Sequence, residues 1–403
     1  MKNTLNIGLF GLGTVGQAVC SVVSRAINAH AVIKRVCVRN LAKPRAIEID
    51  PAILTDRPDD IFDDPDINLI VELVDNAEAS LDIVSRGLAS GKPVVSGNKA
   101  MIARHLPLLI ELQHRYNTPL LYDASACGSI PVIRNLEEYY DNDLLLEVKG
   151  ILNGSTNYIL SRVFDHGESY DDALARAIRL GFAESDPSFD IDGFDALFKL
   201  IIITVHALGR YVAPADVFTL GIRRLSDFDI AYAREKGVKI KLVAQVAKVG
   251  DSSFTMFVMP ELVARNKYIY SVDDEYNGVV IRGEDYDRQF MFGKGAGGRP
   301  TASSILSDIT ALRYGYRYEY KKMHFLDRPA YTTGIDLRLY IRYGSTDIPS
   351  KLPLRAIREQ YISERGNYVI ADVRLSDLIA HRDIITADDV FVANIPLFFA
   401  DRD

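Results

Sequence analysis

The rhythm of apolar positions along the chain changes near residue 144. Before it, short apolar runs alternate with stretches whose apolar residues recur at helical spacing, so strand and helix are predicted to follow one another. Residues 4–10 (TLNIGLF), 32–38, 68–74 (NLIVELV), 92–96 and 119–123 predict strands. The run 68–74 is apolar almost throughout, as a strand covered on both faces of a parallel sheet would be. Helices are predicted over QAVCSVVSRAI, which follows Gly16, over 81–89, ending at Gly91, and over 102–116.

Beyond residue 144 the order becomes that of an α+β chain. Residues 144–152 alternate as a strand, and Asn153, Gly154, Ser155 and Thr156 supply a turn and N-cap for the helix NYILSRVF. A second helix over 171–180 stops at Gly181. The apolar stretch from Phe194 to Leu208 predicts a third. Residues 238–249 and 253–259 predict paired strands turning at Gly250 and Asp251, and 302–312 a further helix. After residue 317 the pattern predicts strands over 335–343, 367–374 and 390–395, with a helix over 354–361 between the first two.

A length of 403 residues suggests two or three domains. The net charge of −7 and the scattering of short basic pairs (Arg223 with Arg224, Lys321 with Lys322) exclude a nucleic-acid-binding stripe. Three cysteines (Cys20, Cys37 and Cys127) without metal-ligand spacing indicate neither a disulfide framework nor a zinc site. No apolar run approaches a bilayer span and the first residues lack signal-peptide organisation, so a cytoplasmic protein without membrane partners is expected.

Gly11, Gly13 and Gly16 stand between the first predicted strand and helix, with Thr14 and Val15 inside the motif. Alone, GxGxxG is weak; placed between a strand and a helix it points to a dinucleotide. Gly11 would permit the tight turn, Gly13 the approach of a pyrophosphate, and Gly16 the packing of helix on sheet. The strand over 32–38 ends at Arg39 and Asn40, where NAD-specific sites carry an acid. Arg39, with Lys43 nearby, either meets a 2′-phosphate, favouring NADP over NAD, or points to solvent. Lys99 lies in a polar loop at a strand's carboxyl end, where parallel sheets bind ligands, though an exposed loop lysine would read the same. The small-residue run ASACGSIP (124–131), beside Asp123, suits close backbone approach to a ligand or ion. The second glycine-rich run, GKGAGGRPT (293–301), is either a flexible loop or a return to the cofactor.

The densest chemistry lies in GFAESDPSFDIDGFDALFK (181–199), with five carboxylates ahead of one lysine. Asp195 and Lys199 are four residues apart and share a face if 194–208 is helical. Most such pairs are solvated surface couples. Here the neighbours Ala196, Leu197, Phe198, Leu200, Ile201, Ile202 and Ile203 leave little of the helix polar, and a buried ammonium beside a carboxylate is suited to proton transfer.

Six motifs in order over about three hundred residues resemble homoserine dehydrogenases: GLGTVG, GNKA at 97–100, ASACGSIP, GILNGSTNYIL at 150–160, the 181–199 block and GKGAGGRPTAS. The resemblance implies an α/β chain with three segments. An N-terminal Rossmann dinucleotide-binding domain spans 1–135. An α+β catalytic and dimerisation domain spans 136–316, its last helix returning to the first domain. A small C-terminal α+β appendage, regulatory or oligomerising, spans 317–403. It also implies NAD(P)-dependent interconversion of L-homoserine and L-aspartate 4-semialdehyde, in threonine and methionine biosynthesis, by a homodimer or homotetramer.

By the same resemblance Lys199 is the proton donor and acceptor, Asp195 holds substrate, and Glu184 binds the substrate amino group. Asp186 and Asp190 are further acidic positions of the site. Lys99 touches cofactor and substrate, and Gly297 touches cofactor. Asp123, Ala126 and Gly128 would bind a structural monovalent cation, Na+ or K+, although the family usually has glutamate where Asp123 stands. Many relatives end in a regulatory ACT domain, of whose turn signature Asp347, Ile348 and Pro349 carry only an echo. Two other readings stand beside this one. A dehydrogenase for another small amino acid, of the aspartate dehydrogenase kind, would lack the block from Glu184 to Lys199. A non-catalytic NADP-binding sensor would bind the dinucleotide without turnover.

Overall fold

The computed structural model describes residues 4–183, 185–344 and 347–396. They form two compact units, each assembled from separate stretches of chain. The first unit comprises Met1–Asp143, Ile201–Tyr211 and Gly293–Phe325; the second comprises Leu144–Leu200, Val212–Phe292 and Leu326–Asp403. The division passes through the helix Phe194–Leu208, and it cuts the chain elsewhere than the three segments inferred from sequence.

In the first unit six parallel strands, β1 (Leu5–Phe10), β2 (Ala31–Cys37), β3 (Leu54–Thr55), β4 (Leu69–Glu72), β5 (Val94–Ser96) and β6 (Leu120–Leu121), lie in the order β3-β2-β1-β4-β5-β6. The chain enters at the middle, runs to one edge, and returns to build the other half. The order therefore reverses between β1 and β4, the switch point at which such sheets bind ligands beyond the strands' carboxyl ends. Strand β4 is buried along its whole length, as its continuous apolar run requires. Helices Thr14–Arg25, Ala77–Ala89 and Lys99–Tyr116 connect the strands. The last two begin earlier than their apolar periodicity suggests, because Asn76 and Asn98 each cap the following helix through a side-chain oxygen.

The second unit is organised on one large sheet. In chain order its strands are β7 (Leu145–Ile151), β8 (Phe218–Thr219), β9 (Val238–Val249), β10 (Ser253–Ala264), β11 (Tyr276–Gly283), β12 (Asp287–Lys294), β13 (Ala330–Tyr331), β14 (Asp336–Tyr343), β15 (Ala356–Ser363), β16 (Gly366–Arg374) and β17 (Phe391–Ile395). They lie in the order β12-β11-β7-β9-β10-β17-β14-β16-β15, with β8 and β13 paired beside β10. Strand β10 runs past the predicted stop at Met259: Pro260 sits opposite Leu242 and the ladder with β9 continues to Ala264. A proline forfeits one N–H, which interrupts a ladder without ending it.

The C-terminal residues hold the clearest departure from the sequence reading. Residues 354–361 are not a helix; Ala356–Ser363 is an edge strand paired antiparallel with β16. Its mix of Arg, Glu and Gln with a few apolar residues imitates an amphipathic helix, whereas the pairing with β16 and the charged outer edge decide for strand. The tail thereby acquires βαββαβ order with antiparallel strands β17-β14-β16-β15, the ferredoxin-like arrangement. It is not a free-standing appendage. Strand β17 joins β10 through Glu261 and Asn394. Leu339, Ile341, Val369, Leu378 and Val392 of the tail share one core with Phe218, Leu220, Phe257 and Met259. Among the described residues no helix is long and apolar enough to cross a membrane.

Candidate active site

The helix Phe194–Leu208 forms as predicted, with a face so apolar that its few polar groups are carried into the interior. Lys199 is 5% exposed and Asp195 3%. One helical turn apart, they pair at 2.7 Å through Lys199 Nζ and Asp195 Oδ2. Lys199 Nζ also donates to the main-chain carbonyl of Leu152 at 2.6 Å. An ammonium has three N–H bonds. Among the described residues only these two acceptors meet it, so one N–H is left over.

Asn153 ties the acids together. Its Oδ1 accepts from the Thr156 N–H at 2.7 Å and caps the helix Gly154–His166, as the turn signature suggests. Its Nδ2 donates to Asp190 Oδ1 at 2.7 Å and to Asp195 Oδ2 at 2.8 Å. Asp190, on the short helix Ser188–Ile191, is held above the usual carboxylate range by burial and by the charge of Asp195; hydrogen bonds from Asn153 and Ser155 and the charge of Lys199 pull the other way. Asp186 stands apart from this cluster. It is exposed, accepts from the Ser188 N–H at 3.1 Å, and is held low by the Ser188 hydroxyl first and by that N–H second. Glu184 lies outside the described residues.

The first glycine motif has distinct work at each position. A Cβ on Gly11, whose φ is +94°, would lie 2.5 Å from the Leu73 carbonyl oxygen, and one on Gly16 would lie 2.3 Å from that of Gly11. A Cβ on Gly13 would meet nothing within 4 Å. The crowded glycines build the turn, and the open one leaves room before the first N–H groups of the helix Thr14–Arg25, a setting that fits a pyrophosphate. Thr14 is exposed and Val15 half-buried beside it. Residues 293–325 belong to the same unit. Gly297 (φ +107°) precedes the helix Gly298–Arg313, and a Cβ on Gly298 would lie 3.0 Å from the Thr14 carbonyl oxygen.

Lys99 opens the helix Lys99–Tyr116 at the carboxyl end of β5 and is partly exposed. Its neighbour Asn98 donates from Nδ2 to the Val74 carbonyl at 2.8 Å. Buried Glu72 accepts from Ser96 Oγ and from the Val74 N–H, both at 2.6 Å, and burial holds its carboxyl above the usual range. Glu72 and Asn98 thus order the loop that crosses Gly11. Arg39 and Lys43 are exposed, and among the described residues neither side chain makes an ion pair or hydrogen bond. Their loop is wound around Arg45, which donates to the carbonyls of Asn40 (2.7 Å), Leu41 (2.8 Å) and Lys43 (2.5 Å).

The residues expected to bind a monovalent cation make hydrogen bonds within the protein. Asp123 Oδ1 accepts from the Arg134 N–H at 3.1 Å, and the Gly128 carbonyl accepts from Ser304 Oγ. Ala126 is buried in the short helix Ala124–Cys127. The small-residue run serves a close approach of backbone to backbone, since a Cβ on Gly128 would lie 2.6 Å from Gly295. The contacts seen at these residues are thus within the protein, and Asp123 is the one carboxylate among the three.

Sequence reasoning missed the bridging role of Asn153, whose cap signature was legible, and the roles of Glu72, Arg45 and Asn277. Asn277 reaches Leu152 from 125 residues away. No local pattern marks such a contact.

Two family models match: "Homoserine dehydrogenase, NAD binding domain" over residues 11–123 and "Homoserine dehydrogenase" over 131–310. The chain is 38% identical over 314 residues to a homoserine dehydrogenase of Synechocystis sp., covering 76% of this chain and 72% of that one. A solved homoserine dehydrogenase from Thiobacillus denitrificans superposes with a TM-score of 0.83 at 28% identity, over 97% of this chain and 98% of that one. A hyperthermophilic archaeal homoserine dehydrogenase mutant in complex with NADPH matches at 0.65 and 25% identity, over 78% of this chain and 99% of that one.

Proposed function

Because this chain belongs to the homoserine dehydrogenase family, NAD(P)-dependent oxidoreductases that interconvert L-homoserine and L-aspartate 4-semialdehyde, we propose that Lys199 Nζ is the atom that takes and returns the substrate's hydroxyl proton. The observation that carries this reading is the incomplete set of partners around a buried lysine: among the described residues two of its N–H bonds are engaged and one is left over. A bound nicotinamide would supply the acceptor for the alcohol carbon's hydride and, reduced, its donor to the aldehyde carbon.

In the oxidising direction Lys199, uncharged, accepts the O–H proton; in the reducing direction its ammonium protonates the carbonyl oxygen. Asp195 and the Leu152 carbonyl hold the amine through both states. Asn153 holds Asp195 and Asp190 in register, leaving acids for the ammonium of a zwitterionic substrate, a task we assign to Asp190, Asp195, Asp186 and Glu184. Lys99 contacts cofactor and substrate.

Gly11, Gly13, Thr14, Val15, Gly16 and Gly297 would hold the dinucleotide. Arg39 and Lys43, with no acid at the end of β2, favour NADP through its 2′-phosphate. The three segments 1–135, 136–316 and 317–403, a cytoplasmic location and a homodimeric or homotetrameric assembly complete the proposal. Lys199→Met tests it. Homoserine-dependent reduction of NADP should fall about 10²- to 10⁴-fold while NADPH binding, followed by fluorescence, is unchanged. Full turnover in a folded variant would remove Lys199 from the mechanism.

A further inference from the structure

The Leu152 carbonyl that accepts from Lys199 Nζ at 2.6 Å accepts a second hydrogen bond, from Asn277 Nδ2 at 2.9 Å. Asn277 is fully buried at the start of β11, one residue before Gly278, which pairs with Ile151. Its own Oδ1 is buried without a hydrogen-bond partner among the described residues. Turning the amide over would set that oxygen against the Leu152 carbonyl, acceptor against acceptor, so the donor must face Leu152. A buried amide with one half unpaired is less stable than a leucine of similar shape. Packing therefore gives no reason for asparagine here.

We infer that Asn277 is a positioning residue for proton transfer: by donating to the Leu152 carbonyl it loosens that oxygen's hold on the Lys199 ammonium and eases the return to the uncharged amine. Two donors on one oxygen share its partial charge, and the positive end of the Asn277 amide faces the same acceptor as the ammonium. Two carboxylates of its unit interact with Lys199: Asp195, from its own helix, and Asp190, from Ser188–Ile191. Both favour the ammonium. Asn277 opposes them. The inference rests on the reading of Lys199 as the proton acceptor, and its test separates the two.

Asn277→Leu and Asn277→Asp are made in the full chain. Titration of Lys199 is read from the pH dependence of its acetylation by acetic anhydride, by peptide mass spectrometry, alongside the pH profile of kcat/KM for homoserine oxidation. In Asn277→Leu the Lys199 midpoint should move up by roughly one unit, so activity is about tenfold lower on the acid limb and recovers at high pH. Asn277→Asp should move it further, by adding a negative charge. Asn277→Ser, which keeps a donor in a smaller side chain, should stay near the wild-type midpoint, and it decides the question if the leucine variant does not fold. An unmoved Lys199 midpoint in Asn277→Asp, or a serine variant shifted as far as the aspartate one, overturns the inference and leaves Asn277 a fastener of the strand end. A moved midpoint with an unmoved kinetic profile supports the effect of Asn277 on the amine but overturns Lys199 as the base.

Discussion

Lys199 and Lys241 are both buried in the second unit, each against a carboxylate and a main-chain carbonyl, yet they are finished differently. Lys241, 1% exposed, donates to Asn157 Oδ1 at 3.0 Å, to the Val272 carbonyl at 2.6 Å and to Asp273 Oδ1 at 2.9 Å. Three acceptors meet three N–H bonds. Lys199 has two acceptors among the described residues. A saturated buried lysine is a structural fastener, whereas one with an unspent donor is ready for a substrate oxygen. Burial pushes the Lys241 amine below its ordinary range, and Asp273 pulls it back. The two sites are also linked. Asn157, held by Lys241, donates to the carbonyls of Val272, Asp274 and Tyr276, and so fixes the segment that brings Asn277 to Leu152.

The contrast breaks most directly in the paired variants. Lys199→Met should lose about 10²- to 10⁴-fold in kcat. Lys241→Met should instead lose about 3 kcal/mol of unfolding free energy in urea, by stranding part of a buried polar network, while its kcat stays within about tenfold of wild type. If Lys241→Met were as stable as wild type and as inactive as Lys199→Met, counting unspent donors would have no diagnostic value.

At the surface the same count leaves Arg39 and Lys43 without acceptors among the described residues, and Arg39 stands just past the end of β2. Arg39→Ala should raise KM for NADP roughly tenfold and leave KM for NAD unchanged, as expected for one lost charge-assisted contact. Equal effects on the two dinucleotides would make Arg39 a bystander.

The last test concerns a third buried cluster, in the first unit. Asp308 Oδ1 accepts from Arg134 at 2.6 Å and its other oxygen from the Asp123 N–H at 3.0 Å. Burial, and then the neighbouring Asp123 carboxylate, push the Asp308 carboxyl up to about 8 from 3.8, against the pull of Arg134. Between those values the native state holds a proton that the unfolded chain has released. The contribution of Asp308 to stability is therefore complete below about 4 and is lost as pH rises through about 8. Thermal melts of wild type should weaken across that window, and Asp308→Asn should flatten the slope. An unchanged slope would place the titration elsewhere.

Much of the fold can be read locally. The helix Phe194–Leu208 has the bounds its periodicity predicts, because an apolar stripe every three to four residues has one way to be buried. The glycine turn is legible because only glycine tolerates a Cβ position 2.5 Å from a carbonyl oxygen. The side-chain rhythm marks neither strands β11 and β12 nor the helix Asp227–Glu235, and it predicts a helix where β15 lies. Their patterns are short, and the partner strand rather than the side-chain rhythm decides them.

The sequence by itself determined that a strand, a glycine turn and a helix open the chain, and that Asp195 and Lys199 share a helical face in apolar company. Only the tertiary structure decided which buried lysine is left, among the described residues, with a spare donor, that the C-terminal strands continue the sheet of the second unit, and that Asn277 shares an acceptor with Lys199. The physical reason is range. Periodicity and capping act within a few residues, whereas the pairing of a buried polar group depends on which distant segments bring acceptors to it, and no short stretch of chain records that.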